Sequence, residues 1–296
     1  MPRNLCAVKT LLSGSGPYTV FAPNDAAFAA AQVDTSNVTL VQEVLMYHVI
    51  SGKIMSADLQ PLQFPSTLLN SSDLVNLPDG KPQVLGVSKG SKGVAVSFGL
   101  KSANVVQADL ASSNGVIHII DQVLMPPTKP SQTATSANLT ALVDILNKAN
   151  LTETVDGLKG ATIFAPTNDA LTKANAGTLN TTMLMDVLKY HVISPSVKYS
   201  TDLKDGDKLT TLQGTTLSVQ VSGGNVMING MKVSTPNVLT NNGVVHVLDG
   251  VLIPGQQSNS TLSANGAKPA GNSGVVISSI TPGGVMLGLL ALVLAQ

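Results

Sequence analysis

The strongest constraint on the fold of this chain is a ten-residue stretch that occurs twice. Residues 19–28 read TVFAPNDAAF, and residues 162–171, 143 positions later, read TIFAPTNDAL. Each copy begins as an apolar run suited to a β-strand, and the proline ends the strand because it lacks the N–H that a ladder needs. The Asn, Thr and Asp side chains that follow can cap a new helix. The stretch therefore predicts a strand, a turn and a helix start in two places.

Two further blocks repeat in the same order. Residues 44–51 (VLMYHVIS) match residues 187–194 (VLKYHVIS), again 143 positions apart. Residues 115–126 (GVIHIIDQVLMP) match residues 243–254 (GVVHVLDGVLIP), which are 128 positions apart, so the first copy carries 15 additional residues before its last block. The offsets of 128 and 143 positions show that the repeat unit is more than 100 residues long. The period of a solenoid is only about 20–50 residues, so the repeat indicates a domain duplication.

Composition narrows the class of protein. The chain has 296 residues, enough for two domains, and 43% of them are hydrophobic. Only 11% are charged and the charges cancel, which argues against a nucleic-acid partner. The polar surface must then come from Ser, Thr, Asn, Gln and Gly, a composition typical of secreted glycoproteins. The single cysteine, Cys6, excludes an intramolecular disulfide.

The hydrophobic periodicity predicts an α+β fold in each copy. Apolar residues recur at helical spacing in 38–49 and 181–192, so both are predicted to be amphipathic helices. Thr39 with Gln42 resembles a capping box. Residues 53–125 and 198–253 are predicted to be strands joined by tight turns. Helices precede strands in each copy, which favours the α+β class.

Together the three blocks resemble the pattern of the fasciclin domain family: a Thr-Val-Phe-Ala-Pro box, a Tyr-His after an amphipathic helix, and a closing Gly-Val-Val-His-Val-Leu-Asp box. The resemblance covers about residues 17–127 and 138–254. It implies two wedge-shaped β-sandwiches, each with helices packed at one end. It also implies an extracellular adhesion module, often found in tandem on a lipid-anchored chain. Ala26-Ala27 departs from the acidic-then-Ala pair that is more usual in the family.

We predict the following organisation: domain one at 1–127, a Pro/Ser/Thr linker at 128–137, domain two at 138–255, a Ser/Asn/Gly-rich stalk at 256–274, and a spacer with a hydrophobic tail at 275–296. In the second copy an apolar stripe from Leu139 to Leu146 predicts an opening helix. Its equivalent in the first copy would begin before residue 1, so we predict that domain one is truncated at its N-terminus.

All four histidines lie in the repeated blocks: His48, His191, His118 and His246. Two histidines per domain could bind a metal or act as bases. We favour buried structural histidines, since no Cys, Glu or Asp recurs beside them at ligand spacing. Asp121 and Asp249 lie three residues past a histidine, which places the two side chains on opposite faces of a strand. We expect no catalytic residue, no metal and no cofactor, and a protein that is not an enzyme.

The candidate binding residues are the two Tyr-His pairs: Tyr47, His48, Tyr190 and His191. In animal relatives of the family, a Tyr-His segment with flanking apolar residues is associated with integrin binding. The alternative is that each pair builds the core. The rival to an adhesion role is a surface enzyme, or a small-ligand or metal binder, that uses these Tyr-His regions.

Six Asn-x-Ser/Thr sequons predict N-glycosylation: Asn37, Asn70, Asn138, Asn150, Asn180 and Asn259. Asn37 and Asn180 occupy equivalent positions just before the amphipathic helix of each copy. We expect both to be exposed at a helix N-terminus, where they can act as caps and also carry a glycan.

The C-terminal sequence predicts a glycosylphosphatidylinositol anchor signal. Small residues at 272–274, with Asn272 as the candidate attachment residue, precede a ten-residue spacer and the apolar run at 285–296. That run is shorter than the roughly 20 residues of a transmembrane helix, and no Lys or Arg follows it. Such a signal is read in the endoplasmic reticulum, yet no signal peptide is visible, so we predict that the native precursor begins upstream of Met1.

The sequence thus predicts a glycoprotein on the extracellular face of the plasma membrane or in the cell wall, held by a lipid anchor. It would act by non-catalytic binding in adhesion or in matrix and cell-wall association. Its partners would be surface or matrix proteins, glycans, or another copy of the chain, and not nucleic acid.

Overall fold

The computed structural model of the protein describes residues 13–255, which contain two seven-stranded sheets of the same topology. The elements of the first half are β1 (Tyr18–Pro23), α1 (Asp25–Ala31), α2 (Val38–Tyr47), β2 (Val49–Ser51), β3 (Leu62–Gln63), β4 (Gly86–Gly90), β5 (Gly93–Phe98), β6 (Lys101–Ser112) and β7 (Gly115–Ile120). A 3₁₀ turn, Pro78–Gly80, lies between β3 and β4.

The second half begins with three helices and repeats the order of the first. Its elements are α3 (Pro130–Ser136), α4 (Thr140–Lys148), α5 (Thr152–Gly157), β8 (Ala161–Pro166), α6 (Asn168–Lys173), α7 (Thr181–Tyr190), β9 (Val192–Ile193), β10 (Lys208–Thr210), β11 (Thr216–Ser222), β12 (Asn225–Ile228), β13 (Met231–Thr240) and β14 (Gly243–Leu248). No helix within residues 13–255 is long and apolar enough to cross a membrane.

The repeated ten-residue stretch forms the predicted strand, turn and helix start in both halves. The strands β1 and β8 end at Pro23 and Pro166. Asn24 Oδ1 accepts a hydrogen bond from Ala27 N at 2.8 Å, and Thr167 Oγ1 accepts one from Ala170 N at 3.2 Å. These two bonds satisfy free N–H groups in the first turn of α1 and α6, which confirms the capping prediction.

The amphipathic helices are capped by residues other than the predicted capping box. Asn37 Oδ1 accepts from Leu40 N at 3.1 Å, so Asn37, and not Thr39, is the N-cap of α2. Asn180 does the same for α7, where its Oδ1 accepts from Met183 N at 2.9 Å. Both helices end two residues before the predicted boundary, at Tyr47 and Tyr190.

Each sheet combines one parallel strand pair with antiparallel neighbours. The strand orders are β2-β1-β7-β6-β5-β4-β3 and β10-β11-β12-β13-β14-β8-β9. The first and last long strands of each half, β1 with β7 and β8 with β14, run parallel. The repeated first and third blocks are therefore hydrogen-bonded to each other, although the paired residues are 97 positions apart in the first half and 82 in the second.

The sandwich arises because one long strand in each half changes its partner. Residues 101–104 of β6 pair with β5, whereas residues 105–112 pair with β7 through two register shifts. The strand β13 divides in the same way between β12 and β14. Irregularities of this kind bend a strand and let it pass from one layer to the other. The α+β class and the wedge-shaped sandwich with packed helices are thus confirmed.

Phe21 and Phe164, from the repeated first block, are buried in the two sheet cores at 3% and 0% exposure. A second apolar cluster in the second half lies between α4, α5, α7 and β8 and includes Leu146 and Ile163. Each half therefore has its own core, as a domain requires.

The segment predicted as a linker, 128–137, is largely helical. Pro130 occupies the first turn of α3, where its missing N–H costs nothing. Thr133 and Ala134 are buried, and Ser131 N donates to Asp156 Oδ1 at 3.0 Å. The linker prediction is wrong in its local structure, because α3 packs against α4 and α5. The predicted domain boundaries at 1–127 and 138–255 stay a prediction.

Several predicted features lie outside the described residues. They are the N-terminal residues on which the truncation of domain one depends, the sequon at Asn259, the stalk at 256–274, and the anchor signal at 275–296 with its attachment candidate Asn272.

Candidate functional site

The tyrosines of the two Tyr-His pairs are core residues. Tyr47 is fully buried, and its hydroxyl donates to Val84 O at 3.0 Å. Tyr190 is 3% exposed. Its hydroxyl donates to Thr216 O at 3.3 Å and accepts from Asn229 Nδ2 at 2.8 Å. Burial raises the pKa of Tyr47 well above its ordinary value, with Tyr199 as a lesser cause. Both hydroxyls tie a helix end to a strand or loop of the sheet.

The histidines of the pairs each join a helix end to the last part of their domain. His48 Nδ1 lies 2.7 Å from Val44 O, one helical turn back, and Nε2 accepts from Leu124 N at 2.9 Å. An Nε2 that accepts an N–H has no proton of its own, so the proton of the neutral ring is on Nδ1 and is donated to Val44 O. His191 repeats this arrangement with Val187 O at 2.7 Å and Leu252 N at 2.9 Å.

The histidines of the third block use the opposite tautomer. His118 Nδ1 accepts from Asp109 N at 3.2 Å, so Nε2 carries the proton and donates to Ile54 O at 2.9 Å. His246 Nδ1 accepts from Asn237 N at 3.3 Å, and its Nε2 donates to Lys198 O at 2.9 Å. Each histidine thus ties its strand to a loop by two backbone contacts.

Burial keeps three of these rings neutral. It lowers the pKa of His48, His191 and His246 to about 4, because a buried imidazolium would lose its hydration. Asp121 and Asp249 lie just past the ends of β7 and β14, where Asp121 accepts from Asn104 N at 2.7 Å and Asp249 accepts from Lys232 N at 2.9 Å. These four histidines therefore support the backbone and have no ring nitrogen left for a metal.

This placement changes the interpretation of the candidate binding residues: Tyr47, His48, Tyr190 and His191. All four are at most 4% exposed, and their polar atoms are bonded to other groups of the chain. A partner protein or glycan at the surface cannot reach their polar atoms in this conformation, so we correct their assignment from contact surface to core. Within residues 13–255, no group of three or more His, Cys, Asp or Glu side chains could hold a metal ion.

The five sequon asparagines inside the described range are all exposed: Asn37, Asn70, Asn138, Asn150 and Asn180. In Asn37 and Asn180 the cap uses Oδ1. An N-linked glycan is attached to the other side-chain atom, Nδ2. Capping and glycosylation are therefore geometrically compatible at both residues.

The structure also shows a junction between the two halves that the sequence did not predict. Asn76 is its centre: Asn76 N donates to Asn241 O at 2.8 Å, and Asn76 O accepts from Gly160 N at 3.1 Å. The side-chain Nδ2 of Asn76 donates to Leu158 O at 2.9 Å and to Gly157 O at 3.2 Å. Four hydrogen bonds from one residue hold it against the start of the second sheet.

Further contacts widen this junction. Gln83, 1% exposed, donates from Nε2 to Thr240 O at 3.0 Å. The rings of Phe64 and Tyr199 stack with centroids 4.1 Å apart. Val197 packs against the sheet core of the first half. The junction therefore combines a buried polar contact at Gln83 with a half-buried aromatic stack.

The sequence profile of the fasciclin domain matches residues 5–126 and 137–254, which is most of the chain. The chain belongs to the fasciclin domain family. Its two matches explain why every histidine has an equivalent in the other half.

Named relatives come from fungi and animals. The chain is 31% identical to a fasciclin-like arabinogalactan protein of Arthroderma benhamiae over 81% of its length, and 29% identical to transforming growth factor-beta-induced protein ig-h3 of Sus scrofa over 82%. It is 28% identical to human periostin over 82%. The chain spans only 55%, 35% and 29% of the length of these three proteins.

A solved FAS1 domain pair from the insect cell adhesion molecule fasciclin I has a TM-score of 0.42 and 20% identity to this chain. The comparison covers 84% of this chain and 92% of that one.

Proposed function

We propose that this protein is a cell-surface or matrix-associated glycoprotein that acts by non-catalytic binding. The observation that carries the proposal is the junction centred on Asn76, at which the two fasciclin domains are hydrogen-bonded to each other. Two domains joined in this way hold two binding surfaces close together. Binding by one surface then raises the effective concentration of the other, so that weak single contacts add up to firm attachment.

The name of one relative supports the glycoprotein part of this proposal. That relative is a fasciclin-like arabinogalactan protein, which is named after a glycan. Exposed sequons such as Asn37 and Asn180 fit a glycosylated surface. We infer that the partner is a matrix or cell-wall protein, a glycan, or a second copy of the chain.

We further propose that a lipid anchor holds the protein on the extracellular face of the plasma membrane. The support is the C-terminal sequence with Asn272 and the apolar run at 285–296. Phosphatidylinositol-specific phospholipase C should release the protein from intact cells into the medium. Retention on the cells after this treatment would contradict the anchor and leave the adhesion proposal standing.

The binding role can be tested with coated beads. Beads that carry the chain are expected to attach to cell-wall or matrix material, or to cluster with one another, more than albumin-coated beads do. Enzymatic removal of N-glycans then distinguishes glycan-mediated contacts from protein-mediated ones. If the beads neither attach to such material nor cluster, the adhesion role is wrong.

A further inference from the structure

The second domain contains an apolar cavity of about 280 Å³. It lies between α4, α5, α7 and β8, and its walls are aliphatic side chains: Leu142, Leu146, Val155, Ile163, Leu188 and Val192. Small-molecule sites occupy roughly 300–1,000 Å³, so this volume is close to the lower end of that range. A cavity walled by hydrocarbon is poorly suited to water and well suited to a hydrocarbon ligand.

The mouth of the cavity differs from its interior. Leu212 lines the cavity and is 40% exposed, so the cavity opens to the surface beside it. Thr154 and Lys189 line it too, and both are exposed. The ammonium of Lys189 makes no hydrogen bond or ion pair with any residue in the described part of the chain. An available positive charge therefore borders an apolar space.

The deeper wall carries no charge to compete with Lys189. His191 contributes to that wall, but both its ring nitrogens are used by Val187 O and Leu252 N. Burial lowers the pKa of His191 to about 4, so the ring is neutral at ordinary pH. The cavity thus has an apolar interior and one cation at its edge.

The comparison of the two domains shows that the fold does not require this lysine. The residue equivalent to Lys189 in the first domain is Met46. Met46 packs against the apolar core of its own domain. A positive charge at this position therefore distinguishes the second domain from the first, and it lies where a ligand would enter.

We propose that this cavity binds one monomeric medium-chain fatty acid, with the alkyl chain among the leucines and the carboxylate beside Lys189. The chain is held by burial of apolar surface. The carboxylate is held by the ammonium and stays hydrated at the mouth. The proposal does not depend on the adhesion role, which concerns the outer surface of the domain pair.

Titration calorimetry of the full chain with sodium decanoate below its micellar concentration tests the proposal. One decanoate per chain is expected to bind. Replacing Lys189 with the methionine of the first domain (Lys189→Met) should weaken decanoate binding about five-fold and leave the affinity for decanol unchanged. The matched control is Lys173→Met, an exposed lysine of α6 outside the cavity lining, which should bind decanoate like the native chain.

The cavity itself is tested by Leu146→Trp, which fills it and should abolish binding of decanoate and decanol alike. Circular dichroism shows whether this variant folds. If the variant does not fold, the difference in decanoate affinity between Lys189→Met and Lys173→Met tests the proposal instead.

The proposal would be overturned if the chain did not bind decanoate, or if it bound decyltrimethylammonium as tightly as decanoate. It would also be overturned if a folded Leu146→Trp chain bound decanoate as well as the native chain does, or if the chain bound anionic lipid vesicles but no free decanoate. Displacement of decanoate by a peptide of residues 285–296 would instead identify the apolar tail of the chain as the occupant, and would equally overturn it.

Discussion

Gly160 in the second domain lies directly against Pro78 in the first. A Cβ built on Gly160 would lie 2.2 Å from Pro78 Cγ and 2.6 Å from Pro78 Cδ, and its φ of +74° disfavours any side chain. Gly160 N also donates to Asn76 O. The close approach of the two domains therefore depends on the absence of a side chain at this residue.

Gly160→Ala is expected to open the junction and to lower the free energy of unfolding by about 1–3 kcal/mol. Hydrogen exchange of the Asn76 amide, which is bonded to Asn241 O across the junction, should become faster. Gly177→Ala is the control, because a Cβ there meets nothing within 4 Å and its φ is not in the left-handed region. Unchanged exchange at Asn76 in Gly160→Ala would show that the contact with Pro78 is not needed.

The stack of Phe64 on Tyr199 should contribute to the same junction. In a double-mutant cycle of Phe64→Leu and Tyr199→Leu, measured by urea unfolding, we expect a coupling of about 0.5–1.5 kcal/mol. Tyr199→Phe keeps the ring and should keep most of the coupling with Phe64. Additive effects of the two leucine substitutions would mean that the rings are adjacent without stabilising the domain pair.

The buried histidines should make stability depend on pH. Their pKa in the unfolded chain is about 6.5, and burial lowers the folded pKa of His48, His191 and His246 to about 4. Between these values the unfolded chain binds protons that the folded chain does not. The free energy of unfolding is therefore highest above about pH 6.5. It decreases as the pH falls toward 4, by up to roughly 3 kcal/mol for each histidine.

Urea unfolding at about pH 7.5 and about pH 5 measures this loss as a fall in the midpoint. His246→Gln removes one titrating group, so its stability, although lower at neutral pH, should vary less between the two conditions. Equal midpoints for the native chain at both pH values would contradict neutral buried histidines.

The sequon at Asn180 allows the glycan and the helix cap to be separated. Asn180→Asp and Thr182→Ala both destroy the sequon and leave a cap acceptor, whereas Asn180→Ala removes the sequon and the cap. In a host that glycosylates secreted proteins, all three variants should lose the mass of one glycan. In unglycosylated material only Asn180→Ala should lose stability, by about 1 kcal/mol. An unchanged mass in all three would show that Asn180 is not modified.

Much of the architecture could be predicted because it is specified locally. Pro23 and Pro166 end β1 and β8 because proline has no N–H to donate to the sheet. The side chains of Asn24 and Thr167, which follow directly, accept hydrogen bonds from N–H groups in the first turn of the next helix. The Asn229-Gly230 pair, a sequence typical of two-residue hairpin turns, connects β12 and β13 with both φ angles positive. Each of these features involves residues within a few positions of one another.

The hydrogen-bond partners of the histidines could not be predicted from the sequence around them. The lack of other metal-binding residues beside them at ligand spacing favoured a structural role, and the structure places all four histidines in the core. The groups that hold them, such as Leu124 N for His48 and Lys198 O for His246, lie 76 and 48 positions away. No spacing rule connects such pairs, so neither the tautomers nor the inaccessibility of the Tyr-His pairs could be read from the sequence.

By itself, the sequence determined the duplication, the α+β class, the family and the local signals that start and end its helices and strands. These follow from short-range chemistry repeated twice along one chain. The tertiary structure alone decided the parallel pairing of β1 with β7, the packing of α3, the junction at Asn76 and the cavity beside Lys189. Each of these features depends on contacts between segments that are distant in the chain. Such contacts leave no periodic pattern in the sequence, because the segments meet only after the chain has folded.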